Sequence, residues 1–122
     1  EESNRYLAFF ILEVKLMSWI YLLIAGIFEV VWSTAMKLSN GFSVLLYSVI
    51  TVIGMIISFG SLVLATKSLP LSLAYTIWTG IGAVGSVIVG VILFHDQLSG
   101  LTWVFGVLLV VSIIGIKMTS GN

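Results

Sequence analysis

The chain has 122 residues, of which 60% are hydrophobic and only 8% are charged, and its formal net charge is zero. About a quarter of the residues in a typical soluble domain are charged, so this composition argues against a soluble enzyme and gives no indication of nucleic acid as a partner. Cysteine is absent, and the single His95 with five scattered acids offers no plausible zinc cluster. No metal or cofactor is therefore predicted.

Four apolar runs follow one another along the chain, and short polar connections separate them. The runs cover Leu16–Met36, Phe42–Ala65, Leu69–Phe94 and Leu98–Ile116, and only the first contains a charged residue. Each is long enough to cross a bilayer, which takes about 20 apolar residues as a helix. The Asn40-Gly41 pair predicts the end of the first helix, and Pro70 suits the start of the third. The sequence predicts an all-α membrane protein with four transmembrane helices per subunit.

Residues 1–16 fit this pattern less well. Tyr6–Leu12 is apolar for too few residues to span a bilayer, and Met17 directly precedes the first spanning helix as a natural start. We interpret 1–16 as an N-terminal leader or extension of unknown role, and 17–122 as the four-helix transmembrane domain. A short interfacial helix over the first sixteen residues is the alternative.

The connections carry too little charge to fix the orientation of the chain. Lys67 and Lys117 lie on the side of the termini, whereas Lys37 and the partly charged His95 lie on the opposite side. The positive-inside rule needs a clear excess of cations on one side. Insertion in both orientations would permit an antiparallel homodimer, which would also enlarge the interior of so small a bundle.

Glu29 is the strongest candidate for a functional residue. It lies near the middle of the first run, and an ionisable side chain at the bilayer midplane is costly enough to suggest a function. Residues three or four apart share a helix face, and that spacing relates Glu29 to Gly26 and Trp32 and relates Tyr75 to Trp78 and Gly82. Ser58 lies midway along a stripe of small residues on the second helix. The candidate substrate- and proton-binding residues are therefore Glu29, Trp32, Ser58, Tyr75, Trp78 and Gly26.

A carboxylate among tryptophans and a tyrosine suits an organic cation. The acid supplies charge, and the aromatic faces add cation–π attraction that strengthens when water is excluded. Protons and a cation could compete for the same carboxylate, and in a dimer two copies of Glu29 could titrate as a coupled pair. The plainer interpretation is a protonated structural glutamate hydrogen-bonded to a neighbouring helix, with core or interfacial aromatic residues around it.

The motifs resemble those of the small multidrug resistance family from Met17 to Gly121. They comprise Ala25-Gly26-Ile27-Phe28-Glu29-Val30-Val31-Trp32, Ser39-Asn40-Gly41-Phe42, Ser58-Phe59, Ala65-Thr66-Lys67 and the ten residues from Ala74 to Ala83. The resemblance implies an antiparallel, dual-topology homodimer in the bacterial inner membrane, with the fourth helix at the dimer contact. It also implies that Glu29 is the essential acid, that Trp32, Ser58, Tyr75 and Trp78 line the site, and that Ser58 hydrogen-bonds the carboxylates.

Within that family the sequence is more similar to the guanidinium exporters than to the exporters of polyaromatic cations. Trp32 stands where the multidrug exporters typically carry glycine, Trp78-Thr79-Gly80-Ile81-Gly82 has the guanidinium-type form, and Lys117 closes the fourth helix as in that branch. The resemblance therefore implies a proton-coupled antiporter of guanidinium and small guanidinyl cations. Gly60, Ser72, Leu73 and Thr76 depart from the family pattern and leave substrate breadth open.

Three alternatives remain at the level of the sequence. The first is export of quaternary ammonium or aromatic cations by the same mechanism, which a substrate panel of increasing bulk would distinguish. The second is a small dual-topology ion channel, although no ring of polar side chains suggests a filter. The third is a structural or accessory membrane subunit, in which Glu29 would merely be satisfied by a neighbour.

Overall fold

The computed structural model describes residues 1–121 and consists of four α-helices joined by short connections. The helices are α1 (Glu2–Leu38), α2 (Leu45–Thr66), α3 (Leu71–Leu93) and α4 (Gly100–Thr119). All four are long and apolar enough to cross a membrane. The prediction of an all-α protein with four spanning helices is therefore confirmed.

Local chemistry explains where the helices end. Asn40, Gly41 and Phe42 all have positive φ, at 49°, 69° and 64°, which turns the chain out of α1. Ser39 secures this turn, because its hydroxyl donates to the Met36 carbonyl at 2.6 Å and accepts from the Phe42 amide at 3.1 Å. Two further helix starts have signals of their own. Pro70 precedes α3, where its missing N–H costs nothing, and the Ser99 hydroxyl caps α4 by accepting from the Thr102 amide at 3.2 Å.

The first helix is longer than the sequence pattern predicts. We expected it to begin near Leu16, but α1 begins at Glu2 and runs unbroken for 37 residues. At 1.5 Å per residue it is about 55 Å long, against a hydrocarbon core of roughly 30 Å. Residues 2–16 are thus a helical continuation of the first span, with large apolar side chains such as Phe9 and Phe10 exposed. The role of this stretch stays a prediction.

α1 makes the most extensive packing contacts in the subunit, first with α2 and then with α3. Small residues on α2 permit the close approach, and Thr51, Gly54, Ser58 and Ala65 of the predicted stripe are all buried. The apolar core contains residues from α1, the end of α2, the connection that follows it and the first half of α3: Leu22, Ala25, Ala65, Leu69, Leu73, Ala74, Ile77 and Trp78. This packing fixes the faces of α1 and α3 relative to each other around the middle of the span.

α4 is attached to the rest of the subunit more loosely than the other helices. Within residues 1–121 its backbone comes close to α3 alone, and none of its residues, all of which the structure describes, is buried. At its last turn the Lys117 ammonium lies 4.4 Å from the centroid of the Trp19 ring on α1. Most of the apolar surface of α4 is therefore available to lipid or to another helix.

Candidate functional site

The Glu29 carboxylate lies in the seam between α1 and α3, against the backbone of Gly82. A Cβ atom at position 82 would overlap both carboxylate oxygens and the carbon between them, so only glycine leaves room for this side chain. The Oε2 atom of Glu29 is buried and has no hydrogen-bond partner among residues 1–121. A buried polar atom without a partner is costly, so this oxygen is a natural acceptor for a proton or for a cationic donor.

A buried hydrogen-bond cluster joins three helices one turn before Glu29. The Ser58 hydroxyl on α2 donates to the Ala25 carbonyl on α1 at 2.6 Å. The indole Nε1 of Trp78 on α3 is shared between the Ser58 hydroxyl at 3.1 Å and the same carbonyl at 3.2 Å. In this subunit Ser58 therefore bonds the backbone that precedes Glu29, whereas the resemblance implies a bond to the carboxylates.

Ser58→Ala tests how strongly this cluster holds the helices together. The substitution removes the bond from Ser58 to Ala25 and one acceptor of Trp78, and we expect a loss of about 1 kcal/mol in the free energy of unfolding. The measurement is reversible unfolding in sodium dodecyl sulfate, followed by near-ultraviolet circular dichroism of the tryptophans. Ser48→Ala is the matched control on α2, since the Ser48 hydroxyl bonds only within its own helix, to Val44 at 2.8 Å. Equal losses for the two variants would contradict a role for the cluster.

Four aromatic rings form a continuous row beside this cluster. Trp32 and Phe59 have ring centroids 6.3 Å apart with the planes tilted by 34°. Phe59 and Trp78 meet edge to face at 5.4 Å, as do Trp78 and Tyr75. The row begins on α1, crosses α2 and ends on α3, where Tyr75 is 53% exposed although Trp78 is only 6% exposed. Trp32 also keeps its indole Nε1 buried without a partner among residues 1–121, three residues after Glu29 on the same helix.

The structure brings four of the six predicted site residues into one connected group, and it places Glu29 and Gly26 in separate contacts with α3. Ser58 and Trp78 meet directly, and Trp32 and Tyr75 join them through the aromatic row. Glu29 follows Ala25, the acceptor of the cluster, by one helical turn. Gly26 serves a different contact, because a Cβ there would lie 2.6 Å from Cγ2 of Ile81 on α3. Gly26 thus sets the spacing of α1 and α3 and does not touch the aromatic row.

Phe59 is the residue that sequence reasoning missed. It bridges the Trp32 and Trp78 rings, and it is 44% exposed on the outer side of α2. Its position directly after Ser58 was a usable signal, since consecutive residues on a helix point about 100° apart and a large ring can reach back to the same groove. The Ser58-Phe59 pair is also one of the motifs that carry the family resemblance, although the resemblance assigns no role to the phenylalanine.

The chemistry of the site favours an organic cation over a metal ion. Among residues 1–121 there is no group of three or more His, Asp or Glu side chains that could hold a metal. Residues 1–121 provide a single deep carboxylate, a row of aromatic faces and a buried indole N–H without an acceptor among them. These features attract a weakly hydrated organic cation through cation–π and charge-assisted contacts.

Four spanning helices define a small integral membrane protein with one carboxylate deep in its first span. The sequence profile of the Small Multidrug Resistance protein family matches residues 17–116, and the chain belongs to that family. The match and the helices indicate an integral protein of the bacterial inner membrane, as predicted.

Curated relatives resemble the chain over most of its length. The guanidinium exporters of Escherichia coli K12 and of Salmonella typhimurium LT2 are each 48% identical over 104 residues, which is 85% of this chain and 99% of theirs. The guanidinium exporter of Proteus vulgaris is 45% identical over 104 residues and is covered completely. These relatives are transporters and not enzymes, and the predicted resemblance to the guanidinium-exporter branch is confirmed.

Proposed function

We propose that this protein is a proton-coupled antiporter that exports guanidinium and small guanidinyl cations. The observation that carries the proposal is the Glu29 carboxylate, which rests on Gly82 with a buried oxygen that has no partner in the described part of the chain. The guanidinium exporters that are 48% identical to it over 104 residues support the choice of substrate. The relatives' names concern export of the cation, and the coupling to protons is our inference from the site.

Coupling follows from having one carboxylate for two positive ligands. An ionised carboxylate in a dry site is unstable unless a positive charge compensates it, and either a proton or a guanidinium ion can do so. Because both ligands use the same oxygens, occupancy by one excludes the other. If the site opens to only one side at a time, each guanidinium carried outward is exchanged for protons carried inward.

The aromatic row sets the size of the accepted cation. Trp32 is pressed against α2, since a Cβ at Gly54 would lie only 2.9 Å from the Cβ of Trp32. Its ring faces Phe59 and occupies space that a smaller residue would leave for a bulky ligand. A guanidinium ion is planar, stacks on aromatic faces and donates in a fork that matches a carboxylate. We therefore propose Glu29, Trp32, Ser58, Tyr75 and Trp78 as the substrate-binding residues.

We further propose that the working unit is an antiparallel, dual-topology homodimer. The apolar surface of α4 supports this, because no residue of the described helix is buried within one subunit. The nearly balanced connection charges, Lys37 on one side and Lys67 on the other, permit insertion in either orientation. Two subunits would bring two Glu29 carboxylates to a shared site, which would allow two protons to be exchanged for each cation.

Guanidinium-driven proton movement in proteoliposomes tests the function. Addition of guanidinium chloride outside vesicles that contain a trapped pH-sensitive dye should raise the internal pH, because guanidinium enters and protons leave. Guanidinium stays charged at every pH used, so the alkalinisation cannot come from a neutral form that crosses the lipid. Protein-free vesicles serve as the control. Guanidinium flux without any change in pH would contradict antiport and indicate a channel.

The same vesicles distinguish the multidrug alternative. Quaternary ammonium cations of increasing bulk are added in place of guanidinium, and the initial rate of the pH change is compared at equal concentration. Methylguanidinium and aromatic cations are added to the same panel. We expect guanidinium and methylguanidinium to give the fastest pH changes and the bulky quaternary ammonium and aromatic cations to give little change. The opposite order would assign the protein to the polyaromatic-cation exporters.

A further inference from the structure

We propose that polar residues on α1 and α3 form a hydrated route that connects Glu29 with the membrane surface at the first and third connections. The route consists of Ser33 and Ser86 in the middle and of Lys37 and Asp96 at its outer end. It rests on the proposed function in that Glu29 is its inner end. Its existence can nevertheless be tested without any transport measurement.

The polar residues are stacked in tiers along the seam between α1 and α3. Glu29, Ser33 and Lys37 are four residues apart on α1, so they share one face and each tier rises by about 6 Å. On the parallel helix α3 the matching positions are Gly82, against the Glu29 carboxylate, and Ser86, whose hydroxyl oxygen lies 3.4 Å from that of Ser33. The tiers therefore lead from the buried carboxylate toward the ends of both helices.

The outer tier is a small pocket in which polar side chains lie among apolar ones. Its volume is about 150 Å³, and the residues that line it include Ser33, Lys37, Ser86, Gly90, Phe94 and Asp96. The Asp96 carboxylate lies directly over Gly90, where a Cβ would come within 2.6 Å of its Oδ2 atom, and the Asp96 amide donates to the Gly90 carbonyl at 3.0 Å. The Lys37 ammonium lies 5.3 Å from the centroid of the Phe94 ring. Glycine at position 90 thus lets an acid reach inward over the end of α3.

The composition of the tiers suits the passage of protons and of a hydrated cation. Serine hydroxyls both donate and accept hydrogen bonds, and Ser33 already donates to the Val30 carbonyl at 3.1 Å, which leaves its lone pairs for water. Asp96 is an exposed acid at the mouth, where its carboxylate attracts a cation on one side of the pocket while Lys37 lines the other part. The charged groups that line this mouth are Asp96 and Lys37, and His95 precedes Asp96 in the chain with a positive φ of 56°.

Cysteine accessibility tests the route directly, because the chain contains no cysteine of its own. Ser33→Cys and Ser86→Cys are reconstituted in vesicles and treated with a trimethylammonium methanethiosulfonate, which is positively charged and soluble in water. The matched controls are Val31→Cys on α1 and Ile88→Cys on α3, which replace apolar residues exposed on the outside of the subunit at similar depth. We expect both serine positions to react at least about ten times faster than both controls. Equal rates at the four positions would overturn the proposal.

Asp96→Asn then identifies the mouth by which the reagent arrives. If the cation passes Asp96, removing this charge should slow the reaction of Ser33→Cys severalfold at low ionic strength, and salt should abolish the difference because it screens exposed charges. A rate that is independent of Asp96 would overturn the assignment of the outer end. The Lys117→Gln variant is the control for a charge change at the other side of the membrane.

A transport measurement separates this proposal from the proposed function. Ser33→Ala/Ser86→Ala should slow guanidinium-driven proton movement at least about tenfold, while tryptophan fluorescence should still report guanidinium binding within a few-fold of wild type. An unchanged rate of proton movement would overturn the route. Absence of any guanidinium-driven proton movement in the wild-type protein would instead overturn the proposed function, and fast reaction of Ser33→Cys would still support the route.

Discussion

Replacing Glu29 with glutamine is expected to abolish guanidinium-coupled proton movement. Glutamine keeps the length of the side chain against Gly82 but cannot exchange a proton and carries no charge. Losing a charge-assisted contact of about 1.5–3 kcal/mol weakens cation binding roughly 10- to 150-fold. Losing the proton site as well removes the coupling itself, so the rate should fall to that of protein-free vesicles.

The measurement is the initial rate of internal alkalinisation after guanidinium addition, with the amount of folded protein matched by size-exclusion profile. Glu13→Gln is the control, since Glu13 lies on the same helix but precedes the family match, which begins at Met17. We expect Glu13→Gln to retain most of the wild-type rate. Robust coupled transport by Glu29→Gln would refute the role of this carboxylate as the shared site.

The fold was predictable because membrane spans are specified by composition. A run of about 20 apolar residues has few stable alternatives to a spanning helix, since every backbone polar group must be satisfied inside the lipid. The Asn40-Gly41 pair and Pro70 marked connections that the structure has at those positions. The start of α1 was not predictable in the same way, because Glu13 and Lys15 interrupt the apolar pattern without breaking the helix, and neither residue disfavours helical backbone.

Only those features of the site that depend on a single helix were predictable from the sequence. The depth of Glu29 and the helical spacing from Tyr75 to Trp78 follow from the sequence, because they depend on residues of a single helix. Contacts between helices do not follow from spacing. The overlap of the Glu29 carboxylate with Gly82, the bridge that Phe59 makes, and the choice of the Ala25 carbonyl by Ser58 all depend on how α1, α2 and α3 rotate against each other.

These contacts give the glycines of α3 a specific purpose beyond close packing. A series of small residues on a spanning helix usually indicates only a close helix contact. Here the three glycines 82, 85 and 90 face different partners, which are the carboxylate of Glu29, the side chain of Val30 and the carboxylate of Asp96. Two of the three therefore accommodate an acid at a position where any side chain would displace it.

Gly82→Ala is consequently expected to impair transport nearly as strongly as loss of the acid. The added Cβ would occupy the space of the Glu29 carboxylate, so either the carboxylate turns away or α1 and α3 separate. Overpacking of this kind typically costs about 1–3 kcal/mol, and a comparable loss in substrate binding would lower the affinity for guanidinium roughly 5- to 150-fold. The measurement is guanidinium affinity from tryptophan fluorescence together with the rate of proton movement.

Two alanine variants distinguish displacement of the acid from general damage to the bundle. Gly60→Ala adds a Cβ where no atom lies within 4 Å, so it should leave binding and transport unchanged. Gly26→Ala presses on Ile81 in the same seam but not on the carboxylate. It should therefore lower mainly the free energy of unfolding, whereas Gly82→Ala should lower mainly the affinity for guanidinium. Equal loss of affinity in Gly26→Ala and Gly82→Ala would show that the spacing of the helices controls binding, and not the space that Gly82 leaves for the Glu29 carboxylate.

The decisive comparison combines Gly82→Ala with Glu29→Asp. Aspartate is one methylene shorter, so its carboxylate stops short of the added Cβ. Each substitution should therefore weaken guanidinium binding less when the other is present. Residues in contact show such coupling, by about 0.5–3 kcal/mol, whereas distant residues add independently. We expect the double variant to bind guanidinium at least about as tightly as Gly82→Ala alone, although Glu29→Asp by itself weakens binding. Strict additivity of the two losses would mean that Gly82 acts elsewhere, because a steric conflict between this acid and this glycine must be relieved when the acid is shortened.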